Sequence, residues 1–334
     1  MKPRPTPLTW LALRLVAGCD DGGNDAGRHD AGPEPARDAA ADASDPGADA
    51  AADASVDAGH EGLVQYGDEW VTPAEMEARR EAERLEVGWD FERKIACGAF
   101  IVYSTATAEQ TDEICTVAGA VYEAYVGFFG AARTLPEDHD PLLVRLFGTR
   151  DEFRHIVLDD EGWAEGLYDG LYCNMYYDAE AANPYHWFIH EATHQLNWEV
   201  AGMDTVQWLE EGIASTFGTS RYVDGELRLG ETDVDAYPAW WLPQWDLATQ
   251  VIPLDAIVSG VGGPDMDQYF NYYYLEWWTL TQYLVYADDG AHLEALHAMF
   301  DDPGLDVATF EALVGEDLAT VQDGWLAWIE GIEY

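Results

Sequence analysis

The chain has 334 residues, with 64 Asp and Glu against 16 Lys and Arg, for a formal net charge of −48. That balance excludes ordinary electrostatic binding to DNA, RNA or an anionic membrane, each of which needs a basic face. Hydrophobic residues at 48% and aromatic residues at 13%, with 14 Trp, demand a packed core, and the absence of any run of about 18 uncharged apolar residues argues against a membrane-spanning helix.

The first segment reads as an address. Lys2 and Arg4 precede a short apolar stretch, Leu8 to Gly18, which ends at Cys19. Val16-Ala17-Gly18-Cys19 resembles a bacterial lipobox, in which small residues precede a cysteine whose thiol takes a diacylglycerol. The resemblance implies a signal peptide at 1–18 and lipidation at Cys19. It also implies export to the cell envelope, periplasmic or outer-surface, with the membrane touched through the anchor only. Residues 19–62 read as a disordered linker rich in Ala, Asp and Gly, in which Asp38-Ala39-Ala40-Ala41-Asp42-Ala43-Ser44 recurs as Asp49 to Ser55. Such a segment buries too little apolar surface to offset its ordering entropy. It lacks the glycine turn and terminal Glu of a calcium loop, so a solvated, self-repelling spacer is expected.

Residues 63–334 read as one domain. Residues 73–86 predict a surface helix with Thr72 as cap and Pro73 in its first turn. Residues 94–105, β-branched and aromatic, predict a strand, and Thr107 to Gly130 has helical spacing through Ile114, Val117, Val121 and Tyr125. Residues 141–149 predict a strand centred on 142–147, Asp151 opens a short helix, and 171–177 predict a short strand. Beyond that the pattern is mainly helical, with a Pro- and Trp-rich loop near 231–253. Strands early and helices late predict an α+β fold, a small N-terminal mixed sheet with a mainly helical C-terminal body. In an oxidising compartment Cys97 and Cys115 would pair and link the first strand to the following helix; two buried free thiols are the other reading.

The chemistry-bearing signal is His190-Glu191-Ala192-Thr193-His194, inside a segment of helical character. Residues four apart share a helix face, so both imidazoles can meet one tetrahedral Zn2+ ion. Glu191 then projects beside them toward a bound water whose pKa zinc lowers to roughly 7, and a carboxylate there can take its proton. A third protein ligand is required. Trp208-Leu209-Glu210-Glu211-Gly212-Ile213-Ala214 resembles the W-L-x-E-G-x-A segment of gluzincin metallopeptidases, among them aminopeptidase N relatives. The family's ligand is the Glu directly before Gly, which falls on Glu211. Glu210 is the adjacent rival; one step along a helix is about 100°, so only one of the two can face the metal. A metzincin would need Gly at 197 and His at 200, where this chain has Asn197 and Val200. Asp204 remains as an aspzincin-type ligand.

The resemblance implies a zincin-like fold over roughly residues 95–290 and a downstream Tyr or His that stabilises the oxyanion. Family members place a Tyr ten residues before a Leu; taking Leu284 as that Leu selects Tyr274, with Tyr273 and Tyr272 behind it. It also implies that the strand before the HExxH helix is a sheet edge that pairs with substrate, a position held by 171–177. His186 reads as a surface residue or a support behind the ligands. The function expected is zinc-dependent hydrolysis of peptide bonds in a peptide or protein substrate, with Glu191 as general base. The alternative is a zinc-containing envelope protein that keeps the peptidase fold for binding or structure without turnover. No nucleic acid partner is expected, and oligomeric state is not legible.

Overall fold

The computed structural model of the protein describes residues 60, 62–130, 133–136, 138–160, 164–203 and 205–332. The leader at 1–18, Cys19, the linker as far as residue 59, and Asp204 lie outside the described residues.

A short hairpin of β1 (Val64–Tyr66) and β2 (Glu69–Val71) leads into α1 (Pro73–Val87). Thr72 Oγ1 accepts from the Glu75 N–H, and Pro73 takes the first helical position, where a missing N–H leaves nothing unpaired. The segment expected as one strand over 94–105 is a hairpin. β3 (Arg93–Cys97) turns back antiparallel into β4 (Phe100–Ser104), with Gly98 at φ +62° in the turn. A continuous β-branched run does not show where it folds back; the residue that tolerates the left-handed region marks the place. α2 (Ala108–Phe129) starts from a Thr107–Gln110 capping box. A Cys97–Cys115 disulfide ties the end of β3 to it, and Cys173 is a free, buried thiol.

The chain continues through β5 (Leu142–Phe147), α3 (Arg150–Val157), β6 (Gly166–Tyr168) and β7 (Tyr172–Tyr176). The main sheet has the order β3-β4-β5-β7-β6. β4, β5 and β7 run parallel, and the outer strands β3 and β6 are antiparallel to their neighbours. The expected edge position of 171–177 is therefore corrected. β7 is internal, because the Asp169 turn brings β6 alongside it, and β6 is the edge.

Next come α4 (His186–Glu199), α5 (Gln207–Gly218), a hairpin of β8 (Ser220–Val223) and β9 (Glu226–Thr232), and α6 (Leu254–Ser259). α7 (Met266–Tyr286), α8 (Leu293–Met299), α9 (Val307–Val314) and α10 (Leu318–Glu330) complete the body. The β8–β9 hairpin departs from the helical reading of this half. Its turn is Asp224-Gly225, both at positive φ, and an Asp-Gly pair is the favoured chemistry for a two-residue hairpin.

Strand alternation divides the core. Phe100, Val102, Leu142, Val144, Leu146 and Met175 pack against Ile114, Val117 and Val121 of α2 and Phe188, Ile189 and Leu196 of α4. On the opposite face Tyr103, Phe147, Tyr172 and Tyr176 meet Val87, Trp89, Phe91 and Phe153. Both faces are covered, as the parallel central strands β4, β5 and β7 require. The result is the mixed architecture expected, a small N-terminal sheet with a helical C-terminal body. Among the described residues no helix is long and apolar enough to cross a membrane.

Candidate metal centre

α4 lies across the sheet because Phe188, Ile189, Ala192 and Leu196 are fully buried along one side of it. His190 and His194, one turn apart, leave α4 toward α5, and their Nε2 atoms stand 3.1 Å apart. From α5, Glu211 brings Oε2 to 3.4 Å from His190 Nε2 and 3.5 Å from His194 Nε2. A tetrahedral ion with bonds of about 2.0–2.1 Å holds its ligand atoms roughly 3.3 Å apart, so this triangle has the right size for zinc. Glu211 Oε2 is buried without a hydrogen-bond partner, and two ring nitrogens and a carboxylate suit a borderline-soft divalent ion. Among the described residues, His190, His194 and Glu211 form the group that could hold a metal.

α5 reaches this position because of Gly212. A Cβ there would fall 2.1 Å from Thr281 Oγ1 and 2.6 Å from the Trp277 carbonyl oxygen. Only a glycine lets α5 seat so closely on α7, and that contact fixes which face of α5 meets α4. Glu211 consequently points at both histidines, while Glu210 Oε1 stands 3.6 Å from His194 Nδ1, on the side of the ring away from the ligand triangle. Burial opposes charge on both Glu211 and His194. Their mutual attraction nevertheless keeps the Glu211 carboxyl well below its ordinary range, and Glu211 with Glu210 holds the His194 imidazole well above its own. Metal ligation needs an ionised Glu211 and a neutral His194, so an ion bound here would displace the proton that His194 holds against Glu211 and Glu210.

Glu191 faces the sheet edge. Its Oε2 accepts from the Tyr168 backbone N–H of β6 at 2.7 Å. Burial raises its carboxyl above the usual range, against the lowering effect of the two histidines. A Cβ on Gly166 would fall 2.7 Å from Glu191 Cγ, so the strand passes this close only because residue 166 has no side chain.

The three candidate tyrosines of α7 have separate fates. The Tyr272 hydroxyl accepts from Gln250 Nε2 at 2.7 Å, and Tyr273 donates to the Pro264 carbonyl at 2.9 Å. Tyr274 stands at the metal-binding group. Burial, then the charges of Glu211, Tyr237 and Glu191, push its phenol well above the ordinary value. Tyr237, which sequence reasoning missed, sits with its ring 5.4 Å from Tyr274 and donates to Asn271 Oδ1 at 3.2 Å. His186 is buried at 4% exposure, with Nδ1 2.9 Å from the Asn183 carbonyl oxygen, so it is no surface residue. Of the tryptophans, Trp245, Trp277 and Trp278 are core, whereas Trp240 is 40% exposed and flanks Trp187 and Tyr237. The Tyr168 amide carries no side-chain signal in a sequence; the glycine at 166 was the available hint.

No family model matches the chain. Among curated proteins none matches it either.

Proposed function

We propose that the chain is a zinc metallopeptidase of gluzincin type with a zincin-like fold, anchored to the bacterial cell envelope through Cys19 and acting on peptide or protein substrates. The observation that carries the reading is the convergence of His190 Nε2, His194 Nε2 and Glu211 Oε2 within 3.1 to 3.5 Å, with Glu191 beside them. His190, His194 and Glu211 would hold the ion. When bound, zinc would supply Lewis acidity, polarising the scissile carbonyl and acidifying water.

Glu191 supplies the proton transfers. Its Oε2 is held by the Tyr168 N–H, which leaves Oε1 to accept a proton from the attacking water and later pass it to the leaving amine. Tyr274, beside Glu211, would donate its hydroxyl to the developing oxyanion. β6 is the open edge of the sheet and already touches Glu191, so an extended peptide added to that edge would run past the general base.

The test is zinc content and hydrolysis of a panel of unfolded proteins by the purified full-length chain. Expected are about one zinc per chain in the wild type and in Glu191→Gln, none in Glu211→Ala, and turnover in the wild type only. Zinc retained in Glu211→Ala, or undiminished hydrolysis in Glu191→Gln, overturns the assignment. Zinc binding without any cleavage by the wild type would favour a binding or structural role.

A further inference from the structure

Glu191, Gln195 and Glu199 follow one another at intervals of four along α4, a spacing that puts them on one face of the helix. All three reach the β6–β7 hairpin. Glu191 Oε2 accepts from the Tyr168 N–H at 2.7 Å, and Glu199 Oε1 accepts from the Tyr168 hydroxyl at 3.4 Å. Between them, Gln195 Nε2 donates to the Leu171 carbonyl at 3.3 Å and to the Leu143 carbonyl of β5 at 3.1 Å. Tyr168 is thus held at both ends, by its amide and by its hydroxyl, on carboxylates about two helical turns apart. Burial, then the charge of Glu199, keeps the Tyr168 phenol protonated far above its ordinary value, so the hydroxyl is the donor. Glu199 Oε2 lies 3.7 Å from His139 Nε2 on its other side.

The hairpin closes without help from α4. Asp169 Oδ1 accepts from the Leu171 and Tyr172 N–H groups at 3.0 and 2.7 Å. Asn174 Nδ2 donates to Asp169 Oδ2 and to the Leu167 carbonyl, each at 3.0 Å. The contacts from α4 therefore set where the finished hairpin sits on the helix, not whether it forms. β6 is a three-residue strand at the edge of the sheet, and such elements are the first to open locally. We propose that Glu199 is a positioning residue for Glu191: by holding the Tyr168 hydroxyl it fixes β6 on α4 and keeps the Tyr168 amide on the Glu191 carboxylate. What this does for hydrolysis rests on the peptidase reading above; the grip on the hairpin does not. Glu199 acts through Tyr168 alone, from the far end of α4, and leaves the ligand triangle untouched.

The experiment is amide hydrogen exchange, read residue by residue on the full-length chain, followed by zinc content and hydrolysis of unfolded proteins by the same samples. The variants are Glu199→Ala, Glu199→Gln and Tyr168→Phe; if one does not fold, the others carry the test. In Glu199→Ala and in Tyr168→Phe the amide at position 168 should exchange roughly three- to tenfold faster, the effect of one lost hydrogen bond, while the amides of β4 and β5 keep the wild-type rate. Glu199→Gln, whose amide oxygen still accepts from the Tyr168 hydroxyl, should exchange as the wild type does. Glu199→Ala combined with Tyr168→Phe should be no worse than either alone, because both remove the same contact. kcat should fall by a similar factor in the same variants and recover in Glu199→Gln, with zinc content unchanged throughout. Exchange at position 168 unchanged in both Glu199→Ala and Tyr168→Phe would overturn the proposal, and so would faster exchange spread over the whole sheet. Faster exchange at position 168 with wild-type turnover would overturn the positioning role. The expected exchange pattern in a chain that cleaves nothing would sink the peptidase reading and leave the grip of Glu199 on the hairpin established.

Discussion

The backbone N–H of Tyr168 donates to Glu191 Oε2 at 2.7 Å, so an amide of the sheet edge holds the carboxylate of the HExxH helix. The contact depends on Gly166, where a Cβ would lie 2.7 Å from Glu191 Cγ. Gly166→Ala should therefore push Glu191 out of position without touching His190, His194 or Glu211. Misplacement on the scale of an ångström can cost about 10²-fold in rate. Turnover is expected to fall by that order with zinc content unchanged. Wild-type turnover in this variant would show that the Tyr168 contact does not matter to catalysis.

Glu210 and Glu211 are neighbours with different work. Glu211 Oε2 lies 3.5 Å from His194 Nε2, where under the proposed function it would ligate the ion, and Glu210 lies 3.6 Å from His194 Nδ1, where it would orient the ring. Outer carboxylates of this kind are worth about 10- to 100-fold in metal affinity. Competition with a chelator should find zinc bound that much more weakly in Glu210→Ala, and not bound in Glu211→Ala. Equal loss in the two variants would assign both carboxylates to ligation.

Tyr274 and Tyr237 touch in a tilted ring contact near Glu211, but the Tyr237 hydroxyl already donates to Asn271. Loss of a single oxyanion donor costs about 10²–10³ in kcat. Tyr274→Phe is expected to show a fall of that order with KM nearly constant, and Tyr237→Phe a far smaller one. The reverse order would transfer the oxyanion role to Tyr237.

Glu276 of α7 is fully buried; its Oε1 accepts from the Ile252 N–H at 2.6 Å and its Oε2 has no partner. Burial raises its carboxyl well above the ordinary value of 4.5, outweighing the opposite effect of that hydrogen bond. The folded chain thus keeps a proton that the unfolded chain releases above about pH 4.5. Its contribution to stability is fully present below the unfolded value and is lost as pH climbs toward the folded one. Glu276→Gln keeps a neutral acceptor for Ile252 and removes this dependence. Thermal unfolding should show the variant higher by about 2–4 °C or more at pH 7, converging with wild type below about pH 4. A gap that does not change with pH would rule out Glu276 as its source.

Local patterns carried much of the structure. Thr72 with Pro73, and Thr107 with Gln110, mark helix starts because a cap is a contact within one turn of chain. The spacing of His190, Glu191 and His194 puts two imidazoles on one helix face for the same reason, since the period of a helix is a local property. The hairpin at Gly98, the Asp224-Gly225 hairpin and the place of β7 inside the sheet were harder to see. Each depends on which strand finds which partner, and apolar alternation alone does not state that.

What the sequence determined by itself is the pair of histidines with Glu191 between them, the acidic character of the chain, and the order of strands before helices. All of these follow from composition and from spacing within a few residues. The tertiary structure decided the rest. It chose Glu211 over Glu210 to face the histidines, because the rotation of α5 is set where Gly212 meets Thr281 and Trp277. It set Tyr274 beside Glu211, whereas Tyr272 lies at Gln250 and Tyr273 donates its hydroxyl to the Pro264 carbonyl. It also brought the Tyr168 amide to Glu191 across 23 residues of chain. A backbone N–H has no letter in a sequence, and only the packing of the sheet edge against α4 gives it a partner.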